Sequence, residues 1–324
     1  MEKRTVTNNE SLLCTLHSND ANHQAANLIN WQQEFDQLSQ GQFLGVINEV
    51  SLPHIHVFRE DTSHELRQQC RVEDGGLWLG VSANNKSCRI NHQRTSHDQF
   101  LCMPGGLDFE LLTPDNFSIF GLVLPKSLLT QFAEQNEEAQ ISQTPRGLCI
   151  EGSGAGAQMV FRQYLSLLLQ PQGNRWSSIT QEIILQDAVQ ELLSQAQQVS
   201  ASHVGSHQRL RIMKRVKHYL SDSRLKTPVT ISEICAAVHV SRRTLQYTFS
   251  ECLGMSPKQY IKIIRLNQVR RRLLNCDSAR TISEIAFDYG FFHLSQFSQD
   301  YMRLFGEKPR QTLQHNHRYR SEST

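Results

Sequence analysis

The sequence contains no run of the roughly eighteen apolar residues needed to cross a bilayer, and its first residues, MEKRTVTNNESLLC, contain no apolar signal core. A membrane protein or a secreted one is thereby disfavoured, and a cytoplasmic location is expected. Cysteine is scattered. The eight residues (Cys14, Cys70, Cys88, Cys102, Cys149, Cys235, Cys252, Cys276) form no C-x-x-C pair, which excludes a zinc ribbon and favours free thiols in a reducing compartment. Nucleotide and acyl-transfer signatures are missing too: no Walker loop, no G-x-G-x-x-G, no G-x-S-x-G elbow. The segment Gly152-Ser-Gly-Ala-Gly156 lacks a strand before it and an acidic partner after it, so it reads as a loop ahead of a helix. His54-x-His56-x-x-x-Glu60 imitates half of a metal site, because alternation on a strand would point both imidazoles one way. The run Met103 to Phe109 offers no third imidazole, so no metal and no catalytic residue is expected. The protein reads as a non-enzyme.

What is present is a division of charge. From His207 to Thr324 there are 21 Lys+Arg against 9 Asp+Glu, a net of +12, while the first 206 residues carry a net of −10. One part of the chain suits a polyanion and the other does not. The basic part also contains a repeat. Thr230-Ile-Ser-Glu-Ile234 recurs as Thr281-Ile-Ser-Glu-Ile285, and further on Leu245, Phe249, Gly254 and Pro257 correspond to Phe297, Tyr301, Gly306 and Pro309.

Each copy opens with the T-x-x-E spacing of a capping box, Thr230 with Glu233 and Thr281 with Glu284. A short helix is predicted next, with Ile231, Ile234 and Val238 on one face, matched by Ile282, Ile285 and Tyr289. A turn follows at His239-Val240 and at Gly290-Phe291. A second helix then starts near Ser241 and near Phe292-His293, apolar at Leu245, Phe249 and Leu253, then at Phe297, Tyr301 and Phe305. Short helix, turn and second helix with a polar outer face is the helix-turn-helix pattern. The outer faces present Arg242, Arg243, Gln246 and Tyr247 in the first copy, and His293, Ser295, Gln296 and Gln299 in the second. Arg pairs with guanine edges and Gln with adenine edges, so these eight are the candidate base contacts.

Ser256-Pro257 opens a long helix between the copies, apolar at Ile261, Ile264, Leu266, Val269 and Leu273. It would hold two recognition helices about 34 Å apart on one DNA face. Lys258, Lys262, Arg265, Arg270 and Arg271 lie on this helix, and Arg303, Lys308 and Arg310 follow the second copy. Of these, Lys258, Lys262, Arg265, Arg303, Lys308 and Arg310 are the candidate phosphate contacts.

Three runs carry a family resemblance: Arg265 to Leu273 (R-L-N-x-V-R-R-x-L), Ile282 to Phe291 (I-x-x-I-A-x-x-x-G-F) and Phe297 to Pro309 (F-S-x-x-Y-x-x-x-F-G-x-x-P). Over about Leu210 to Leu313 the chain resembles the AraC/XylS family of transcription regulators. The resemblance implies two recognition helices in successive major grooves, with Arg243, Gln246 and Tyr247, then Ser295, Gln296 and Gln299, against bases. It further implies promoter DNA and RNA polymerase as partners, a small-molecule effector, dimerisation through the helices of residues 155–198, and activation of transcription.

The N-terminal part changes pattern. Short β-branched and aromatic runs (Phe43 to Ile47, Ile55 to Phe58, Leu77 to Val81, Phe117 to Phe120) alternate with turn-prone stretches at Glu73 to Gly76, Ala83 to Lys86 and Thr113 to Asn116. A helix is expected ahead of them over Leu28 to Phe35. Two amphipathic helices are expected between Ala155 and Gln198. The elements Trp31-Gln-Gln33, Asp36-Gln-Leu38, Val57 to Glu60, Leu66-Arg-Gln68, Trp78-x-Gly80 and Pro104-Gly-Gly106 resemble the ethanolamine-utilisation regulators of that family, which implies ethanolamine with a corrinoid as effector and no resident cofactor.

The expected architecture is α+β in two domains. Residues 1–198 form a β-rich barrel or sandwich with packing helices that senses an effector, 199–208 a linker, and 209–324 an all-α domain with two helix-turn-helix units joined by a long helix. An effector-independent architectural DNA binder is the alternative, but it would not need the acidic β-rich half. A DNA-repair or methyl-transfer protein fused to such a domain is another, and it would need an activated cysteine nucleophile.

Overall fold

The computed structural model describes residues 13–28, 31–135, 148–151, 155–170, 176–194, 197–198, 204–220, 229–275 and 280–314. The chain forms two compact units. One comprises Glu2–Phe35 and Phe43–Ala201; the other comprises Asp36–Gln42 and Ser202–Thr324.

The first unit contains two antiparallel sheets. The larger follows the order β1 (Leu13–Ser18), β3 (Gly45–Ser51), β4 (His56–Thr62), β11 (Phe117–Leu124), β6 (Leu77–Ser82), β9 (Phe100–Pro104), β12 (Leu148–Glu151) and β13 (Gln197–Gln198). The smaller follows β2 (Trp31–Gln37), β5 (Leu66–Val72), β10 (Asp108–Thr113), β7 (Arg89–Ile90) and β8 (Gln93–Arg94). Neither sheet closes on itself, so the barrel alternative gives way to two open sheets sharing a core.

Alternation along β6 explains why all six of its residues are buried. Trp78 faces the second sheet, packing with Phe58, Cys70, Leu101, Phe109 and Ile119. Leu77, Leu79 and Val81 face the other way, toward Phe161, Leu165 and Leu168 of α3 (Ala155–Leu168) and Leu185, Val189 and Leu192 of α4 (Ser178–Ser194). A strand covered on both faces reads as a continuous apolar run, which is why it was visible in the sequence. Two glycines are fixed by ring packing. A Cβ on Gly80 would lie 2.4 Å from the Trp78 ring, and one on Gly121 would lie 2.1 Å from Phe58. The expected turns are present too, with Gly75, Asn85 and Asn116 at positive φ.

The predicted helix over Leu28 to Phe35 is not formed. Residues from Trp31 to Gln37 are a strand, and the helix, α1 (Ala21–Asn27), lies earlier, capped by the Asp20 carboxylate on the amides of Asn22 and His23. Leu28, Trp31 and Phe35 fit a helical spacing, but Trp31, Gln33 and Phe35 also alternate, and pairing within a sheet decided the outcome. A further helix, α2 (Lys126–Gln135), follows β11.

The second unit is helical: α5 (Val204–Tyr219), α6 (Ile231–Val238), α7 (Arg242–Leu253), α8 (Pro257–Leu274), α9 (Ile282–Asp288) and α10 (Leu294–Phe305), with residues 309–314 helical after them. The expected linker at 199–208 is shorter than read, because α5 already begins at Val204; residues 199–203 lie outside the described ones, as do Gly152 to Gly154 and Cys276. The helical unit also takes in seven residues, the last two of β2 and the five after them, which no linker at 199–208 anticipates.

One buried carboxyl gives the sheet unit a pH dependence. Burial raises Glu60 on β4 from 4.5 to about 7, against the hydrogen bonds donated by the Gln24 and Gln68 amides at 3.2 Å each and with help from Asp61. The folded state therefore holds a proton that the unfolded chain releases near 4.5. This contribution to stability is complete below that value and is lost as pH rises through 7. Between pH 5 and pH 8 we expect the wild-type chain to lose about 2–3 kcal/mol more than Glu60→Gln, at ~1.36 kcal/mol per pKa unit, in parallel denaturant titrations. Equal losses in the two proteins would refute the assignment.

Candidate nucleic-acid interface and effector pocket

Thr230 caps α6 through its hydroxyl on the Glu233 amide at 3.2 Å, and Glu233 returns a bond to the Thr230 amide at 2.7 Å. Thr281 and Glu284 repeat both bonds at 3.2 and 2.7 Å at the start of α9. The Thr281 amide and hydroxyl hold the Glu284 carboxyl below its usual range. Each capping box brings its helix into a buried Ile, Ile234 or Ile285. The turns then diverge. His239 adopts the left-handed conformation at φ 54°, whereas in the second copy Gly290 takes it at φ 78°. A non-glycine residue at positive φ is costlier, and His belongs to the few side chains enriched there.

Helix α7 starts at its cap Ser241, whose hydroxyl accepts from the Thr244 amide at 3.0 Å. It buries Leu245, Thr248, Phe249, Cys252 and Leu253, and this leaves Arg242, Arg243, Gln246 and Tyr247 exposed. The Arg242 guanidinium donates to the Ser232 hydroxyl of α6 at 2.9 Å, so it ties the two helices of the first copy together. Helix α10 buries Phe297, Asp300, Tyr301, Leu304 and Phe305, and leaves Ser295, Gln296 and Gln299 exposed. His293, also exposed, is the residue before its first turn and caps with no side-chain bond. All eight candidate base contacts therefore lie on the surface of the helical unit.

The basic residues separate into two groups. Lys258, Arg303, Lys308 and Arg310 are exposed. The α8 cations mostly serve the unit itself. Lys262 pairs with the buried Asp300 of α10 at 2.9 Å. Arg265 is half-buried, and desolvation lowers its pKa. Arg270 is buried, 2.8 Å from Glu307 and with its guanidinium carbon 4.6 Å from the centre of the Phe305 ring. Arg271 pairs with Asp36 at 2.9 Å. Charge alone could not distinguish these roles; the spacing could have, since Arg270 lies between the buried Val269 and Leu273 on a helix with little solvent face.

In the sheet unit, His54 and His56 take different carboxylates. His54 lies ahead of β4 and bonds Glu182 of α4 at 2.6 Å, while His56 bonds Glu49 of β3 at 3.0 Å. They do not converge, and among the described residues no group of three or more His, Cys, Asp or Glu could hold a metal. Sequence reading missed the aromatic cluster beside them. Trp31 meets Phe58 and Trp78 edge-on with centroids 5.7 Å apart in each case, and Trp78 stacks on Phe109 at 5.2 Å. The Nε1 atoms of Trp31 and Trp78 are buried without a hydrogen-bond partner. Trp31 also lines a pocket of about 550 Å³ with Gln32, Arg71, Val72, Glu73 and Asp74. The signal available in the sequence was the pair Trp31 and Trp78, out of three tryptophans in the chain.

Comparison with known proteins places the helical unit. Residues 234–315 match the family model described as a helix-turn-helix domain. The XylDLEGF operon transcriptional activator 3 of Pseudomonas putida is 35% identical over 101 residues, covering 31% of this chain and 30% of its own length. The probable thc operon regulatory protein of Rhodococcus erythropolis is 35% identical over 103 residues, covering 32% and 31%. The segment is a helix-turn-helix domain, similar to those of the two operon regulators. The match spans about 30% of the length of these curated relatives. Among solved structures, the AraC-like transcriptional activator CuxR aligns over 82% of this chain and 96% of its own, with 17% identity and a TM-score of 0.42.

Because the two capping boxes of the helix-turn-helix domain are far apart in sequence and share no partner, their contributions should add. We expect Thr230→Ala and Thr281→Ala to cost about 1 kcal/mol each and the double variant close to the sum, measured by chemical denaturation of the full chain. A double variant no less stable than either single one would show that the boxes are not independent.

Proposed function

We propose that this protein is a DNA-binding transcription regulator, an activator controlled by a small molecule, in which the helical unit reads promoter DNA and the sheet unit senses the effector. The observation that carries this reading is the pair of exposed polar faces on α7 and α10, in a region (residues 207–324) of net charge +12 that includes the helix-turn-helix match. The activator sense rests on the likeness of the helical segment to the XylDLEGF operon transcriptional activators. Recruitment of RNA polymerase and a cytoplasmic location follow from the same reading.

Arg243, Gln246 and Tyr247 on α7 supply most of the base discrimination, with Arg242 held partly by Ser232. Ser295, Gln296 and Gln299 on α10, next to His293, supply fewer contacts, because the first basic residue of that helix is Arg303. Lys258, Lys308 and Arg310, each near a helix start, meet phosphates, as does Arg303; Lys262 and Arg265 contribute less, because Lys262 is paired with Asp300 and Arg265 is half-buried. A second copy of the chain is the proposed partner of α3 and α4, where Val160, Leu167, Ile179 and Ile183 are exposed apolar residues. The effector occupies the pocket that Trp31 lines with Gln32, Arg71, Val72, Glu73 and Asp74, whose charged and polar groups favour a polar ligand. Ethanolamine with a corrinoid is the effector that the N-terminal resemblance implies, and it is the first probe to use.

On the full chain, Arg243→Ala should cost ~1–3 kcal/mol and relax preference at one base position in binding selections on randomised half-sites. Gln299→Ala should change preference less. Lys258→Ala and Lys308→Ala should weaken all sequences alike and reduce the slope of log K against log salt by about one each. If Gln299→Ala scrambles the site and Arg243→Ala leaves it intact, the two helices have the opposite roles; binding that ignores salt would refute the DNA reading itself. For the sensor, calorimetry of wild-type and Trp31→Ala chains against a metabolite panel, including ethanolamine with and without a corrinoid, should show binding lost in the variant while DNA affinity persists. An unchanged ligand affinity in Trp31→Ala would move the effector site elsewhere.

A further inference from the structure

Residues Asp36 to Gln42, the end of β2 and the turn after it, belong to the helical unit, where two of its elements, α8 and α10, receive them. The Asp36 carboxylate, 1% exposed, pairs with Arg271 of α8 at 2.9 Å. One turn earlier on α8, the Asn267 side chain engages both main-chain groups of Gln37. Its Oδ1 accepts from the Gln37 amide at 2.9 Å, and its Nδ2 donates to the Gln37 carbonyl at 3.0 Å. Nδ2 also donates to the Ile263 carbonyl at 3.0 Å, which fixes the amide in place on its own helix. An Asn side chain used this way imitates the partner strand of a ladder, and at 1% exposure it could find no water as a substitute.

The other end of the segment closes on α10. The Gln37 Nε2 donates to the carbonyls of Ser39, Gly41 and Leu304 at 2.9, 2.7 and 2.8 Å, and the Gly41 amide donates to the Leu304 carbonyl at 3.0 Å. Leu304 lies in the last turn of α10, where carbonyls have no partner within the helix. Gly306, at φ 72°, ends the helix, and a Cβ there would lie 3.0 Å from the Gln42 nitrogen. Its hydrogen atom is thus required by two constraints at once: the left-handed conformation and the approach of the segment.

We infer that residues 36–42 are a clamp that joins α8 to the C-terminal end of α10 and so sets the position of the second recognition helix. Asp36, Gln37, Asn267 and Arg271 are positioning residues: the first three are buried and Arg271 is half-buried. The inference rests on the DNA-binding reading for its consequence and on the hydrogen bonds alone for its geometry. Removing the clamp leaves Asn267 and the Leu304 carbonyl without these bonds, and α10 loses its terminal anchor while α6 and α7 keep all of theirs.

The test uses the full chain with Gln37→Leu, Asn267→Leu and the double variant, and with Asp36→Asn as a milder change that keeps shape and removes the charge. Hydrogen exchange should be at least tenfold faster in residues 302–306 of each Leu variant and unchanged in α7. The double variant should exceed either single one, because Gln37→Leu removes the side-chain bonds to Ser39, Gly41 and Leu304 while Asn267→Leu removes those to the Gln37 main chain. On promoter DNA with two half-sites, footprint protection should fall at the half-site read by α10 and persist at the other, with affinity down about tenfold; Asp36→Asn should give the same pattern more weakly. Exchange that rises equally in α7 and α10, or in neither, overturns the clamp. Exchange that changes as expected while the wild-type chain binds no DNA leaves the clamp standing and removes the DNA-binding reading instead.

Discussion

The helical unit depends on the burial of α8. Tyr260, Ile261, Ile263, Ile264, Leu266, Asn267, Val269, Arg270 and Leu273 are all buried, so this helix offers apolar contact on more than one side rather than a single stripe. Such a helix cannot lie on a surface. It has to sit between packed neighbours, and the two helix-turn-helix copies supply them: Tyr260 meets Phe249 of α7 at 5.4 Å, and Arg270 reaches Phe305 and Tyr301 of α10. The charge of α8 follows from that position. A buried guanidinium is costly alone, and Arg270 is acceptable where it is because Glu307 and a ring face take it up.

The same constraint explains which parts of the molecule were legible from sequence. The repeat, both capping boxes and the long helix were readable because each is a local pattern, with short-range bonds between residues three or four apart. The outer faces of α7 and α10 were readable by subtraction from the apolar positions. The destinations of Lys262, Arg270 and Arg271 were not, since a buried ion pair and an exposed phosphate ligand look alike until a partner such as Asp300, Glu307 or Asp36 is placed beside them. In the sheet unit the strands facing apolar layers on both sides, β6 and β11, declared themselves. Strand β5 did not, because Arg67 and Gln68 read as surface residues although both are buried, Arg67 against Glu110 at 2.5 Å.

Residues 36–42 were illegible for a different reason. Asp-Gln-Leu-Ser-Gln-Gly-Gln has the composition of an exposed connection, and a polar segment gives no hydrophobic period to follow. Its Gln37 is nonetheless 2% exposed, and its main chain is matched by an asparagine 230 positions away. Long-range recognition of a backbone by a side chain leaves no trace in spacing. A domain boundary drawn along the sequence therefore separates groups that the structure joins, and a helical fragment cut at the start of α5 would lack seven of the residues that complete it.

Both units place polar groups where apolar ones would be cheaper. Glu60 sits between Gln24 and Gln68 in the first, and Asn267 between Gln37 and Ile263 in the second. Hydrophobic side chains of similar volume would pack in many arrangements of nearly equal energy, whereas an amide that must satisfy particular donors and acceptors accepts one. For Asn267 that arrangement fixes a strand end against a helix. Strand β2 begins with Trp31 and Gln32, which line the pocket, and ends with Asp36 and Gln37, which engage α8. Five residues of extended chain span about 16 Å, and an extended strand held at both ends has little slack to absorb a displacement.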